Sequence, residues 1–187
     1  MKDCQRFAVI IFPNGLQGKV WATILRSQTI SVIWECPDVP LTRTLNALHR
    51  QQMTPDLLVL DTRLRHLRPF QLSRWLRHHC PEIPLLLVNG AQTQILPAER
   101  QWAMTQGAAD LLPGFKRTAP ISSAAHNLVR ALHLIDHLPL YQQAMIASLI
   151  ELGLNPKQQN GQPGINQPLS MAHSVAVSSS WKQQSIF

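Results

Sequence analysis

Apolar residues fall into two kinds of block over roughly the first 135 positions of the chain. Short runs that are continuously apolar or rich in β-branched residues alternate with longer segments in which apolar residues recur every three or four positions. The first kind predicts strands buried in a sheet, and the second predicts helices with one buried face. The predicted strands are Phe7–Phe12, Thr29–Trp34, Leu57–Leu60, Ile83–Val88 and Asp110–Leu112. The predicted helices are Leu16–Arg26, Leu41–Gln52, Phe70–His79, Pro97–Gln106 and Ile121–His137.

This strict alternation of strand and helix determines the expected architecture. A strand that is followed by a helix and then by another strand is typical of a βαβ crossover. Repeated crossovers of this kind predict a parallel sheet with helices on both faces, which is a three-layer α/β fold. Gly107, directly after the fourth predicted helix, is expected to cap that helix at its C-terminus.

The character of the sequence changes after Pro139. Residues 141–152 predict one further amphipathic helix, whose docking on the rest of the protein is left open. From Asn155 onward Gln, Pro, Gly, Ser and Asn dominate without periodicity, which predicts disorder because little apolar surface is available to offset the ordering entropy. The expected organisation is a domain over 1–138, an extra helix over 139–154 and a disordered tail over 155–187.

Asp61 is the strongest single candidate for a functional residue. It follows the apolar run Leu57–Leu60 and would therefore lie at the carboxyl end of the third strand. Ligands of parallel α/β sheets bind beyond the carboxyl ends of the strands. A carboxylate at this position is placed where a ligand site is expected.

Three segments resemble two-component response-regulator receiver (CheY-like) domains. Pro55–Leu64 resembles the third strand of that family, with Asp61 at the phosphoacceptor position. Pro81–Val88 resembles the fourth strand, and Gly107–Leu112 resembles the Gly-Ala-Asp-Asp-Tyr-Leu approach to the fifth strand. The resemblance covers about residues 6–137 and implies a flavodoxin-like (βα)5 doubly wound parallel sheet.

The same resemblance implies a phosphorylation site that this chain lacks in most of its parts. A receiver holds Mg²⁺ with an acidic pair after the first strand, where this chain has Phe12, Pro13 and Asn14. The family's Ser or Thr after the fourth strand is replaced by Asn89, which Gly90 follows.

After the fifth strand a receiver has a lysine, whereas this chain has Pro113 and Gly114, with Lys116 as the nearest basic residue. We therefore expect a degenerate pseudo-receiver without a cofactor, in which Asp61 bonds to neighbours such as Arg63 or Asn14. Magnesium would be required only under the alternative, a phosphorylatable single-domain response regulator with Asp61 as phosphoacceptor.

Composition adds a basic character. The chain has 17 Lys and Arg against 10 Asp and Glu, a formal net charge of +7. Much of the excess lies at Arg63, Arg65, Arg68, Arg74 and Arg77. These arginines predict a solvated basic helix face, and a basic nucleic-acid accessory protein is the further alternative. The chain shows no helix-turn-helix, zinc finger or RNA-binding aromatic motif, which argues against nucleic acid as the partner.

Cysteine, histidine and apolar content point to a protein of the cytoplasm. Cys4, Cys36 and Cys80 are widely spaced and form no metal-ligand pattern, so reduced structural thiols and no metal site are expected. The eight histidines include no HExxH motif. No apolar run approaches the roughly 18 residues needed to span a bilayer, and the first residues do not form a secretory signal.

The expected function is non-catalytic binding of another protein, in signalling or regulation. Receivers use the surface of the fourth helix, fifth strand and fifth helix for docking or dimerisation, so the resemblance implies a protein partner or a homodimer here. That surface would include Trp102, Met104, Leu112, Phe115 and His126, together with helix 141–152. The alternative for Trp102 and Phe115 is that they pack in the core.

Overall fold

A computed structural model describes residues 6–13, 15–116, 118–137 and 139–154. Among these residues five strands form one parallel sheet in the order β2-β1-β3-β4-β5. The strands are β1 (Phe7–Ile11), β2 (Ser31–Glu35), β3 (Leu57–Asp61), β4 (Leu85–Asn89) and β5 (Asp110–Pro113). The chain moves from β1 outward to β2 and then returns to build the other side, so the sheet is doubly wound, as predicted. The tail over 155–187 lies outside the described residues, and its disorder stays a prediction.

The helices of the described part lie close to their predicted positions. They are α1 (Leu16–Arg26), α2 (Leu41–Arg50), α3 (Pro69–His79), α4 (Pro97–Thr105), α5 (Pro120–His133) and α6 (Gln142–Glu151). A short 3-10 turn, Arg65–Leu67, precedes α3. None of these helices is long and apolar enough to cross a bilayer.

Strand β3 shows how the sheet divides the core into two halves. Leu57 and Val59 pack on the face covered by α1 and α5. Leu58 and Leu60 point to the opposite face, which α2 and α3 cover. Because successive side chains of a strand alternate between faces, a continuous apolar run is buried on both sides. All four side chains are fully buried, so the interpretation of this segment as a central strand is confirmed.

The sixth helix is docked on the domain, which answers the question that the sequence left open. Met145 and Leu149 are fully buried and join the core cluster between the sheet, α1 and α5. The buried amide of Gln28 brackets the start of the helix: its Nε2 donates to the Tyr141 carbonyl at 3.3 Å, and its Oε1 accepts from the Tyr141 amide at 2.8 Å. Helix α6 therefore packs on the outer side of α1 and α5 rather than on the sheet.

Three predicted boundaries are wrong for one reason: a residue other than glycine adopts a positive φ where a helix ends. These residues are Thr29 (62°), Gln52 (56°) and Asp136 (49°). In each case the residue that follows the positive-φ residue donates its amide hydrogen to the carbonyl five positions earlier in the chain. This hydrogen bond closes the helix. Thr29 consequently lies in the turn after α1, which ends at Arg26 as predicted, instead of starting β2. Helices α2 and α5 stop short of their predicted ends. Gly107, at φ 104°, closes α4 in the same way, as predicted.

Candidate functional site

Asp61 lies at the carboxyl end of β3, in the crevice where the strand order reverses. Its strand is paired with β1 on one side and β4 on the other, and Asp61 itself is in register with Val88. The crevice beyond such a reversal is the usual ligand position in doubly wound sheets. The side chain is nevertheless 0% exposed. The carboxylate is therefore located as predicted but is closed off from solvent.

Arg63 closes it. The Arg63 Nη2 donates to Asp61 Oδ2 at 2.7 Å, and Nε lies 3.0 Å from each carboxylate oxygen. The Arg63 backbone amide also donates to Oδ1, at 2.9 Å. The guanidinium side chain is 42% exposed, so it covers the carboxylate like a cap that faces solvent. The hydrogen bond to Asp61 raises the pKa of Arg63 above its usual value, while desolvation acts in the opposite direction.

Two glycines make room for this ion pair. A Cβ at Gly90 would come within 2.7 Å of Arg63 Nη2 and 2.8 Å of Asp61 Oδ2. A Cβ at Gly114 would come within 3.0 Å of the Gly90 carbonyl oxygen. Pro113 is in register with Asn89 at the ends of β5 and β4, and the loops that follow these strands touch at the two glycines. Gly114, located where the resemblance requires a basic residue, instead packs on Gly90.

Asn89 shapes the turn that follows β4. Its Nδ2 donates to Gln92 Oε1 at 3.0 Å, and its Oδ1 accepts from the Ala91 amide at 3.2 Å. Its backbone carbonyl accepts from the Gly114 amide at 3.0 Å. These bonds commit the side chain to the loop that presents Gly90.

A cavity of about 680 Å³ opens above the Asp61–Arg63 pair. Arg63, Gly90 and Lys116 line it, so three residues singled out from the sequence share one crevice. Gln17, on the first turn of α1, forms one side and bonds in both directions to the backbone of Phe115, at 3.3 and 2.9 Å. Asn14 lies outside the described residues.

The expected docking surface is smaller than predicted. Trp102 is 51% exposed and contacts Phe70 edge-on at a ring-centroid distance of 4.4 Å, and Met104 and His126 are also exposed. Leu112 of β5 and Phe115 in the segment after it lie instead in the core, on the side of the sheet that α1 covers. Phe115 therefore packs in the core, which was the alternative. The expectation that Leu112 and Phe115 belong to the docking surface is wrong. Since α6 packs on α1 and α5, it lies away from Trp102 on α4.

A buried carboxylate that the sequence did not identify as important ties this surface together. Asp110, the first residue of β5, is 3% exposed. Arg100 of α4 donates to its Oδ1 at 2.6 Å, and Arg130 of α5 donates to its Oδ2 at 2.5 Å. The two arginines link both helices to the strand between them. No spacing in the sequence marks this triad, because its members come from three elements.

The arginines of α3 are partly used within the protein. Arg77 donates to the Met104 carbonyl at 2.8 Å, and Arg74 bonds to the side chain of Gln106. Both bonds reach the C-terminal end of α4, where the helix dipole favours a positive charge. The basic residues on α3 therefore fasten α3 to α4, while Arg65 remains exposed.

Comparisons with known proteins agree on the fold. No protein-family model and no curated protein matches the chain. Among solved structures, a response regulator receiver protein from Burkholderia phymatum superposes with a TM-score of 0.52 at 16% identity, covering 71% of this chain and 97% of that one. A CheY-like protein (tadZ) from Pseudomonas aeruginosa PAO1 superposes with a TM-score of 0.51 at 17% identity, covering 72% and 96%. The chain thus has the receiver fold that its motifs predicted, and at these identities the likeness concerns the fold alone.

Proposed function

We propose that this protein is a receiver-like regulator that binds another protein and does not depend on phosphorylation of Asp61. One observation carries the proposal: both carboxylate oxygens of Asp61 are bonded to Arg63 in a closed pair. The receiver fold supports a signalling role in general. The closed Asp61–Arg63 pair supports a role that does not depend on phosphorylation.

Phosphoryl transfer to a carboxylate needs a free oxygen and a cation that neutralises the incoming group. Here Arg63 occupies both oxygens and already supplies the positive charge. A phosphoryl group would have to displace hydrogen bonds to charged groups that contribute about 1.5–3 kcal/mol each. Where the resemblance requires acidic metal ligands, Phe12 is buried in the core and Pro13 has no polar side chain. These features favour a site held permanently in one state.

The surface that remains for a partner is centred on Trp102. Exposed tryptophans are enriched among the residues that dominate protein interfaces. The Asp110 triad holds α4, β5 and α5 in one arrangement, so a partner would meet a preorganised surface and would not bear the cost of ordering it. Met104 and His126 are the exposed neighbours included in this proposed docking surface.

The proposal is tested by an amide NMR spectrum titrated with Mg²⁺ and then with beryllofluoride, which mimics an aspartyl phosphate. We expect the resonances of Asp61, Asn89 and Gly90 to stay unchanged at millimolar Mg²⁺. Saturable shifts confined to these residues would refute the proposal and would favour the phosphorylatable response regulator. In parallel, partner binding should survive Asp61→Asn and be lost in Trp102→Ala.

A nucleic-acid role has less support in the structure than in the composition. Arg63, Arg74 and Arg77 all bond within the protein. Binding to arbitrary DNA with a steep salt dependence would favour that function instead.

A further inference from the structure

Three side chains of metal-binding types converge at the amino ends of the strands, opposite the Asp61 crevice. His49 lies near the end of α2, Cys80 follows the last residue of α3, and Glu82 lies in the loop that leads to β4. The imidazole Nδ1, the Sγ and a carboxylate oxygen all lie within 4.8 Å of one another. His49 Nδ1 and Glu82 Oε1 are 2.9 Å apart.

We propose that His49, Cys80 and Glu82 form a binding site for Zn²⁺. Thiolate sulfur, imidazole nitrogen and carboxylate oxygen are the three protein ligand types that zinc takes. Tetrahedral bonds of about 2.0–2.3 Å would separate the ligand atoms by roughly 3.3–3.6 Å. Shifts of about 1 Å would therefore bring this cluster to coordination geometry.

One of the three proposed ligands is held in place, and the other two are free to adjust to a metal ion. Cys80 is fully buried, and its backbone is fixed by bonds from its amide to Leu76 and from the Ile83 amide to its carbonyl. The side chains of His49 and Glu82 are about half exposed and can adjust. A metal ion would thus have one preset ligand and two that close on it from the solvent side. The fourth position faces solvent, where a water molecule would complete the tetrahedron.

Coordination chemistry predicts how Zn²⁺ binding depends on pH. The Cys80 thiol must release its proton to become a ligand, so binding releases protons and the affinity increases with pH.

This site is independent of the proposed function, since it lies at the other edge of the sheet from Asp61 and Arg63. It also changes the interpretation of Cys80, which the sequence presented as a structural thiol. Cys80 and Glu82 lie in one short segment that forms no CxxC pattern, whereas His49 is distant in the chain, so only the packing of α2 beside that segment brings its imidazole to the other two ligands.

Titration of the metal-free, untagged full chain with Co²⁺, followed by Zn²⁺, tests the site. We expect a thiolate-to-cobalt charge-transfer band that saturates near one equivalent and is displaced by Zn²⁺. A Cys4→Ser/Cys36→Ser protein, which keeps Cys80 as its only cysteine, should retain the band. Cys80→Ser should lose it. Absence of the band in the wild type or in the single-cysteine protein would overturn the site, as would its survival in folded Cys80→Ser.

If Cys80→Ser disturbs folding, substitutions of the two exposed ligands test the zinc site instead. His49→Ala and Glu82→Gln should each weaken Zn²⁺ binding by at least about tenfold, because each removes one of three protein ligands. His133→Ala, on an exposed position of α5, is the matched control and should bind as the wild type does. Unchanged affinity in both ligand variants would refute the proposal.

Discussion

Arg63 lies over Asp61 with Nη2 2.7 Å from Oδ2 and Nε 3.0 Å from each carboxylate oxygen. The two residues are separated by one position in the chain, so the tight turn after β3 is sufficient to bring them together. In this arrangement the carboxylate at the carboxyl end of β3 is neutralised by a residue of its own loop. The carboxylate is thereby closed off from solvent at the base of the crevice.

Arg63→Ala should destabilise the protein. It leaves a buried carboxylate without its cation and without most of its hydrogen bonds, which costs about 1–3 kcal/mol. Because the Arg63 side chain is partly exposed, water can replace some of the lost bonds, and the lower half of this range is expected. Urea unfolding measures the change. Adding Asp61→Asn to Arg63→Ala should recover part of the stability, and equal stability of Arg63→Ala and wild type would contradict the role of the pair.

Gly90→Ala tests the space that the pair occupies. The new Cβ would meet Arg63 Nη2 and Asp61 Oδ2 at less than contact distance, so the variant should lose about 1–3 kcal/mol of unfolding free energy. Gly15→Ala is the matched control, since its Cβ would meet no heavy atom closer than 3.9 Å. The control should lose less than about 1 kcal/mol, mainly through its helix-capping position. Thermal or urea unfolding that ranks the two variants in the reverse order would be inconsistent with this packing.

Arg130→Ala should loosen the surface between α4 and α5. It removes one of the two cations bonded to the buried Asp110 carboxylate, and Arg100 remains as the other. We expect a loss of about 1–2 kcal/mol, below the usual cost of breaking a buried pair, because Arg100 still compensates the carboxylate. Arg65→Ala, at an exposed arginine, should stay within about 0.5 kcal/mol of wild type. Chemical denaturation of the two variants provides the comparison, and similar losses in both would argue against a special role for the triad.

Gln28→Ala should weaken the docking of α6. The change removes the amide that bonds to both backbone groups of Tyr141, so those groups are left without this partner where the helix begins. Hydrogen exchange should accelerate in α6, with a loss of about 1–3 kcal/mol in its opening free energy. Gln143→Ala, on the exposed side of α6, should leave exchange unchanged. If exchange in α6 is the same in Gln28→Ala and wild type, the helix is held by its apolar contacts alone.

The stability of the metal-free protein should fall at alkaline pH because of Cys80. Burial and the charge of Glu82 hold the pKa of this thiol above its unfolded value. The folded state therefore keeps the proton where the unfolded state loses it, so stability is constant below the unfolded pKa and decreases as pH rises from there towards the folded pKa. Urea unfolding of wild type and Cys80→Ser between pH 7 and about 10 should show this extra loss only in the wild type. Parallel pH profiles would contradict it.

Much of the fold follows from local rules that the sequence displays. The continuous run Leu57–Leu60 determined a strand buried on both faces, and its end determined where Asp61 would lie. The bond between Asp61 and Arg63 was among the expected contacts because residues so close in the chain meet in almost any tight turn. The start of β2 was placed too early at Thr29 and the end of α2 too late at Gln52, because both residues adopt a backbone conformation that their side chains disfavour and that the surrounding structure imposes.

Contacts between distant elements were decided by the tertiary structure. Asp110 meets its two arginines, and Cys80 meets His49, only when helices from different crossovers pack side by side. Periodicity fixes which face of an element is buried, but it does not fix which side chains of two packed elements stand opposite each other. That depends on how the elements are shifted and rotated against each other, and the close packing of the whole core sets both. The sequence by itself thus determined the layers and the position of the crevice, and the packing determined which groups meet within and around them.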